Sequence, residues 1–270
     1  VVKYIIAIKG HRLKAMGRAL VTGASSGLGE EFAWQLAEAR HDLVLVARNE
    51  ARLEKLAARL RAAGGIEVEV LPADLSDREQ LETVAQRLRD PSAPIGLLVN
   101  NAGYGLHQSF IDGDIRTEEQ FLDVLVRAVL VLSHAATERM VQKGRGAVLN
   151  VSSVAALTAM GTYAAHKAWV RTFTEVLATE LRGTGVTATV VSPGFVRTEF
   201  HQRAGWKKMP YPDAAFLDPM RVVATALADV RRGAVISTPS VRYQVASAIA
   251  RLSPRPLVRA VTGVRRRIER

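Results

Sequence analysis

Short apolar runs and longer stretches with helical periodicity alternate along this chain from residue 18 onward. The runs are rich in β-branched residues and cover 18–22, 42–47, 66–71, 95–99, 146–151, 185–191 and 233–237. The helical stretches cover about 27–39, 50–63, 77–89, 116–143, 162–182 and 218–231. Strand–helix–strand repetition with short connections is typical of parallel strands joined by right-handed crossovers. The pattern therefore predicts an α/β fold, with a single doubly wound parallel sheet of about seven strands and helices on both faces.

The same pattern divides the chain into three segments. Residues 1–17 do not follow the alternation, and Met16 and Gly17 resemble a natural chain start, so we interpret 1–17 as an extension that is disordered or arises from upstream translation. Residues 18–240 form the predicted sheet domain, and 241–270 form a basic helical tail. Within the domain, 199–217 is irregular, and we expect a lid there.

Composition and charge narrow the class of protein. The 270 residues contain no Cys, which excludes disulfides, thiolate metal sites and a cysteine nucleophile. The net charge of +11 comes from the two ends, because residues 19–250 hold 25 bases and 25 acids. This distribution argues against nucleic acid as the main partner. No apolar run reaches about 20 residues and no signal peptide is evident, so we expect a cytoplasmic protein, soluble or attached at the membrane surface.

A glycine-rich turn follows the first predicted strand and opens the first predicted helix. Glycines at such a turn allow a pyrophosphate to approach the backbone, and the amino end of the helix attracts its charge. A bare turn with no ligand is the alternative interpretation, which the strand and helix context disfavours. The residues of this predicted dinucleotide site are Thr22, Gly23, Ser25, Ser26, Gly27, Leu28 and Gly29.

The next two strands end in residues that bear on the choice of dinucleotide. After the second strand, the position that usually holds an acid for a ribose hydroxyl is Ala47, and Arg48 follows. A guanidinium binds a 2′-phosphate where an acid would repel it, so the sequence favours NADP(H), with NAD(H) as the second choice. Alternatively, Arg48 is a solvated base beside Arg52. Asp74 and Leu75, after the third strand, are predicted to meet the adenine; alternatively, Asp74 caps the next helix.

Candidate chemistry lies further along, where Tyr163 and Lys167 share one helix face. An ammonium close to a phenol favours the phenolate, so we expect Lys167 to lower the pKa of Tyr163 and make it a usable acid or base. Other polar motifs follow the fourth, fifth and sixth strands, at the sheet edge where ligands bind in such folds. They comprise Asn101, Ala102 and Gly103, then Ser153, then Pro193, Gly194, Val196 and Thr198.

This ordered set of motifs resembles the short-chain dehydrogenase/reductase family, over about residues 18–240, and its ordinary-length NADP-preferring branch. The resemblance implies a Rossmann-type fold and a hydride transfer between nicotinamide and the carbonyl or alcohol carbon of an apolar substrate. Tyr163 would exchange a proton with the substrate oxygen, Lys167 would hold the nicotinamide ribose, and Ser153 would bind the carbonyl. Asn101, Ala102 and Gly103 would flank the adenosine ribose. The segment of Pro193, Gly194, Val196 and Thr198 would line the nicotinamide.

Two departures from the family pattern motivate an alternative function, although the intact Tyr163, Lys167 and glycine turn favour catalysis. Leu125 stands where the family has an Asn that holds a water for the proton relay, and Ser153 precedes Tyr163 by only ten residues, about three fewer than expected. A protein that binds NADP(H) without turnover, as a sensor or scaffold, is therefore the alternative. A subunit that has lost nucleotide binding as well is a third hypothesis.

Several remaining features suggest partners rather than chemistry. His134 and His166 are interpreted as packing or surface residues, His107 as a residue bordering the substrate cavity at most, and no grouping has metal-ligand spacing. Leu257, Val261, Val264 and Ile268 recur at helical spacing among arginines, which is compatible with a peripheral membrane contact or with packing on the body or a partner subunit. The resemblance also implies a homodimer or homotetramer, assembled through the helices at 116–143 and 162–182.

Overall fold

The computed structural model describes residues 17–106, 108–198 and 212–263, and these residues form one seven-stranded sheet with helices on both faces. The strands are β1 (Arg18–Thr22), β2 (Leu43–Ala47), β3 (Val68–Pro72), β4 (Ile95–Asn100), β5 (Gly146–Val151), β6 (Val186–Val191) and β7 (Ile236–Ser237). The first helices are α1 (Gly27–Glu38), α2 (Glu50–Gly64), α3 (Arg78–Arg89) and α4 (Ile115–Gln142). The later helices are α5 (Gly161–Glu180), α6 (Pro219–Arg232), α7 (Val241–Leu252) and α8 (Arg255–Thr262).

All seven strands are parallel, and their order in the sheet is β3-β2-β1-β4-β5-β6-β7. The order reverses at β1, which pairs with β2 on one side and β4 on the other. The crossovers on the two sides of β1 run in opposite directions, so a crevice opens at the carboxyl ends of β1 and β4. This arrangement confirms the doubly wound fold that the alternating sequence pattern predicts.

Strand side chains supply two separate apolar cores, one on each face of the sheet. In β1, Ala19 and Val21 join a core with Phe32 of α1. Leu20, between them, joins the core on the opposite face with Leu132 of α4. Successive strand residues point to opposite faces, so apolar residues at every position require cover on both faces.

The longest helix, α4, departs from regular geometry at its centre. Residues Asp123–Arg127 form a π-helical turn, in which the amide of Ala128 donates to the carbonyl oxygen of Asp123. Among the described residues, α4 is also the one helix long and apolar enough, by length and composition, to cross a membrane. Several of its apolar side chains, including Leu132 and Met140, are buried against the sheet, as in the core helix of a globular domain.

Candidate active site

The turn between β1 and α1 has a backbone shape that only glycine suits. Gly23 and Gly27 have φ angles of +66° and +58°, in the left-handed region. A Cβ atom on Gly29 would lie 2.1 Å from the carbonyl oxygen of Gly23 and 2.6 Å from Nδ2 of Asn101. The turn is therefore folded back tightly on α1, which leaves room above it for a phosphate group.

Thr22 and Asn101 fix this turn against the end of β4. The Thr22 hydroxyl accepts hydrogen bonds from the amides of Asn101 and Ala102, both at 3.0 Å. Nδ2 of Asn101 donates to the carbonyl oxygen of Thr22 at 2.9 Å. Thr22 is buried and lies beneath the crevice rather than on its wall. Thr22 and Gly29 therefore shape the turn and do not line the cavity.

A single cavity of about 1060 Å³ runs from this turn along the carboxyl edge of the sheet. Its lining includes residues that follow each of the strands from β1 to β6. The predicted site residues that line it are Gly23, Ser25, Ser26, Gly27, Leu28, Arg48, Asp74, Leu75, Asn101, Ala102, Gly103, Ser153, Tyr163, Lys167, Pro193, Gly194, Val196 and Thr198. A dinucleotide fits this site, because the turn has no room for a Cβ atom at Gly29 and the cavity is large enough.

At the adenosine end, Arg48 and Asp74 approach each other. Nη1 of Arg48 lies 3.9 Å from Oδ2 of Asp74, and the Arg48 side chain is 74% exposed. The alternative interpretation of Asp74 as a helix cap is wrong, because Asp77 caps α3 by accepting hydrogen bonds from the amides of Glu79 and Gln80. The Arg48 side chain is thus mostly exposed and lies at the rim of the cavity.

Ser153 and Tyr163 meet at the centre of the cavity despite their short separation in the chain. A hydrogen bond from the Ser153 side chain to Tyr163 favours the phenolate, but desolvation is the larger effect and raises the pKa of Tyr163 to about 12. Part of the Tyr163 surface stays open to the cavity, while protein atoms crowd its hydroxyl. At neutral pH Tyr163 is therefore a phenol with a proton to give.

Lys167 lies one helical turn further along α5. Its Nζ atom donates to the carbonyl oxygen of Val151 at 2.7 Å and lies 5.8 Å from the centre of the Tyr163 ring. Burial lowers the pKa of Lys167 to about 8, so the amine is still mostly protonated at pH 7. The expectation that Lys167 lowers the pKa of Tyr163 is wrong for this structure: desolvation of the phenol dominates.

Leu125 lies in the π-helical turn and is completely buried. A Cβ atom on Gly103 would be 3.7 Å from both Leu125 Cδ1 and Lys167 Nζ, so the isobutyl group is a close neighbour of the amine. An alkyl side chain offers no hydrogen bond to water or to Lys167. Its presence accords with the desolvation that lowers the pKa of Lys167.

A buried hydrogen-bond network beneath the site was not anticipated from the sequence. Nδ2 of Asn100 donates to Ser133 at 3.1 Å and to Asn150 at 2.9 Å, and Nδ2 of Asn150 donates to Thr174 at 3.0 Å. These bonds join β4, β5, α4 and α5 below Ser153, Tyr163 and Lys167. The sequence signal for this network was Asn100 and Asn150, near the ends of two otherwise apolar strands.

Tyr243 is a second residue that sequence reasoning missed. From α7, its hydroxyl accepts a hydrogen bond from the amide of Phe195 at 3.2 Å and donates to the carbonyl oxygen of Ala215 at 2.8 Å. Its ring occupies the space where a Cβ on Gly194 would lie, since the nearest ring atoms would be 2.1 Å away. Tyr243 thereby anchors the segment after β6 that borders the nicotinamide end.

His134 and His166 do not line the cavity. His107 lies outside the described residues, His134 is exposed, and the ring of His166 packs 5.0 Å from that of Phe121. Within residues 17–106, 108–198 and 212–263, no group of His, Asp and Glu side chains is arranged to hold a metal ion.

Comparison with known proteins agrees with this geometry. A short chain dehydrogenase family profile matches residues 17–208. A short-chain dehydrogenase from Sphingobium yanoikuyae, solved in complex with NADPH, is 34% identical with a TM-score of 0.80, over 87% of this chain and 94% of that chain. A bulky-bulky ketone specific alcohol dehydrogenase from Comamonas testosteroni is 30% identical with a TM-score of 0.76, over 87% and 92% of the two chains.

A curated relative shows the same kinship by sequence. Sulfoacetaldehyde reductase 2 from Chromohalobacter salexigens is 35% identical over 186 residues, which is 67% of this chain and 73% of the relative. The protein belongs to the short-chain dehydrogenase/reductase family, and it is an NAD(P)-dependent oxidoreductase acting on alcohol or carbonyl groups.

Proposed function

We propose that the protein is an NADPH-preferring reductase of bulky, apolar ketones. The observation that carries the proposal is the meeting of Ser153, Tyr163 and Lys167 in one cavity with the glycine turn. The turn, Asn101 and the segment from Pro193 to Thr198 would hold a nicotinamide dinucleotide. When bound, that cofactor supplies the hydride.

The chain's own residues supply the proton and the positioning. Ser153 donates a hydrogen bond to the substrate oxygen, and Tyr163 transfers its phenol proton to that oxygen as the carbon is reduced. Lys167 keeps a positive charge near the phenol and stabilises the phenolate left behind. Since the pKa of Tyr163 is raised to about 12, the resting phenol carries at neutral pH the proton that reduction of a carbonyl requires.

The substrate half of the cavity supports an apolar ketone. Among the described residues, its wall consists mainly of alkyl and aromatic side chains, with an amide group from Gln120 and a hydroxyl group from Thr158. The apolar members are Leu106, Val154, Ala155, Met160 and Phe195. A wall of this kind binds through burial of apolar surface and leaves one polar focus at the reacting oxygen. The similarity to an alcohol dehydrogenase specific for bulky-bulky ketones supports the same class of substrate.

The direct test is to follow NADPH absorbance with purified protein across a panel of aryl, steroid and long-chain ketones, with NADH alongside. We expect turnover of bulky ketones with NADPH and slower turnover of short, hydrophilic carbonyls. NADPH binding without turnover on any member would refute the proposal and favour the sensor or scaffold function, for which the alkyl group of Leu125 beside Lys167 is the specific argument.

Arg48 is expected to determine the preference for NADPH. Replacing Arg48 with Ala removes the guanidinium predicted to bind a 2′-phosphate, and charge-assisted hydrogen bonds of this type contribute about 1.5–3 kcal/mol. We expect the KM for NADPH to rise about tenfold or more while the KM for NADH changes less than about twofold. Steady-state kinetics with both cofactors measures this.

Arg59→Ala is the matched control for Arg48→Ala. The Arg59 side chain, also exposed, pairs with Glu30 and lies over the ring of Trp34, away from the cavity. Its removal should leave both KM values unchanged. Equal losses for NADPH and NADH in Arg48→Ala would contradict a role in reading the phosphate.

A further inference from the structure

We propose that the outward faces of α7 and α8 form a docking surface for a bilayer that contains anionic lipids. This surface, called here the C-terminal face, comprises Val241, Val245, Ile249 and Leu252 of α7 together with Leu257 and Val261 of α8. Membrane attachment is a property separate from the reductase reaction.

The apolar stripe of α7 points away from the rest of the protein. Val241, Val245, Ile249 and Leu252 are spaced four, four and three residues apart, which places them within one narrow arc of the helix. Their exposed fractions are 74%, 54%, 61% and 88%. The opposite side of the helix packs on the body through Tyr243. Exposed apolar residues aligned in this way indicate a surface that meets another apolar phase.

The second helix extends this apolar face. Leu257 and Val261 are 54% and 75% exposed, while Val258 between them is buried and holds α8 in place. Oγ1 of Thr262, at the end of α8, accepts a hydrogen bond from the amide of Ala159 at 3.0 Å. The helix is therefore anchored along one side and open along the other.

Charge identifies the occupant of this surface. Residues 241–263, which include α7 and α8, contain four arginines and no acidic residue. Arg251 and Arg259, on α7 and α8, are both exposed. A bilayer with anionic headgroups complements both features, because apolar side chains enter the boundary of the acyl chains while guanidinium groups remain among the phosphates. A second copy of this strongly basic surface would instead bring like charges together.

The C-terminal face lies beside the substrate half of the cavity. Tyr243 of α7 holds Phe195, and Nη1 of Arg255 of α8 donates to the carbonyl oxygen of Leu157 at 3.4 Å. Phe195 lines the cavity, and so do Ala155 and Thr158, which are close to Leu157 in the chain. Resting on the proposed function, this placement would let an apolar ketone dissolved in the bilayer reach the site without crossing much water.

Vesicle sedimentation with the full chain tests the docking surface. The probes are vesicles of phosphatidylcholine alone and of phosphatidylcholine with phosphatidylglycerol at four to one, at low and at physiological salt. We expect binding to the mixed vesicles, at least tenfold weaker binding to the neutral ones, and weakening by salt. Absence of binding to the mixed vesicles at low salt would overturn the proposal.

Two matched double variants locate the surface. Ile249→Gln with Leu252→Gln, both exposed on α7, should reduce partitioning onto mixed vesicles at least tenfold without changing the melting temperature. Ile111→Gln with Ile115→Gln, at positions 74% and 59% exposed elsewhere on the protein, should not reduce it. Equal binding by both double variants would overturn the proposal. So would a change of oligomeric state in the α7 variant, measured by sedimentation velocity, without a change in vesicle binding.

Vesicle binding and catalysis fail separately in this design. If the protein sediments with mixed vesicles but reduces no ketone, the docking surface is supported and the proposed reaction is refuted. A protein that reduces ketones but does not sediment retains the reaction and loses the docking surface.

Discussion

Replacing Tyr163 with Phe should abolish ketone reduction and leave the affinity for NADPH close to that of the wild type. In the proposed reaction the phenol of Tyr163, which lies beside Ser153, is the proton donor, and burial keeps it protonated, with its pKa raised to about 12. General acid catalysis by a positioned side chain contributes about 10²–10⁴-fold to a rate, and we expect a loss of kcat of about 10³-fold or more. The ring itself stays, so its packing 6.3 Å from the ring of Phe121 is retained.

The measurements are kcat with a bulky ketone and the Kd of NADPH by titration calorimetry. Tyr104→Phe is the control, since Tyr104 also neighbours Phe121, with 5.1 Å between ring centres, but is not paired with Ser153. It should keep kcat within about threefold. Turnover by Tyr163→Phe at the wild-type rate would refute proton transfer from this phenol.

Replacing Lys167 with Met should make the protein more stable at pH 7 and yet inactive. Burial lowers the pKa of Lys167 from 10.5 to about 8, so the unfolded chain binds this proton more tightly than the folded protein. The folded protein therefore carries the full cost of a buried ammonium below pH 8, and the cost disappears as the pH rises from 8 to 10.5. A shift of this size corresponds to about 3 kcal/mol at most.

The net gain is smaller, because Met also loses the hydrogen bond from Nζ to the carbonyl oxygen of Val151. We expect the free energy of unfolding at pH 7 to increase by about 1–2 kcal/mol, and the gain over wild type to shrink as the pH approaches 10.5. We also expect kcat to fall about 10²-fold or more, because the phenolate loses its neighbouring charge.

Urea unfolding at pH 7 and pH 10 measures the stability change from Lys167→Met. Lys143→Met, at an exposed position after α4, is the control and should change the unfolding free energy by less than about 0.5 kcal/mol. A Lys167→Met protein that is less stable than wild type at pH 7 would contradict the buried-charge argument. So would a gain in stability that does not depend on pH.

The sheet could be predicted from sequence because its signals are local. The runs at 18–22 and 146–151 match β1 and β5 in full, and the glycine turn is encoded within eight residues. The edge strand β7 was placed correctly but is limited to Ile236 and Ser237. Edge strands pair on one side only, so their length depends on neighbours that a sequence pattern does not show.

The parts of the site that sequence reasoning missed depend on contacts between distant residues. Tyr243 reaches Phe195 across 48 positions, and Asn100 reaches Asn150 across 50. The π-helical turn that holds Leu125 interrupts a stretch whose periodicity predicts a regular helix. The pKa of Tyr163 is set mainly by the burial of its phenol in the folded protein. The sequence motif shows only that Lys167 is close to Tyr163, and burial has the larger effect on this pKa.

The anchoring of Phe195 by Tyr243 means that the two halves of the cavity are completed at different stages of synthesis. A nascent chain that has emerged as far as Thr198 already contains the glycine turn, Arg48, Tyr163 and Lys167. The wall around Phe195, in contrast, waits for the hydroxyl of Tyr243 from a helix near the carboxyl terminus. A fusion partner that displaces this helix would therefore disturb the segment after β6 while it leaves the glycine turn and Arg48 in place.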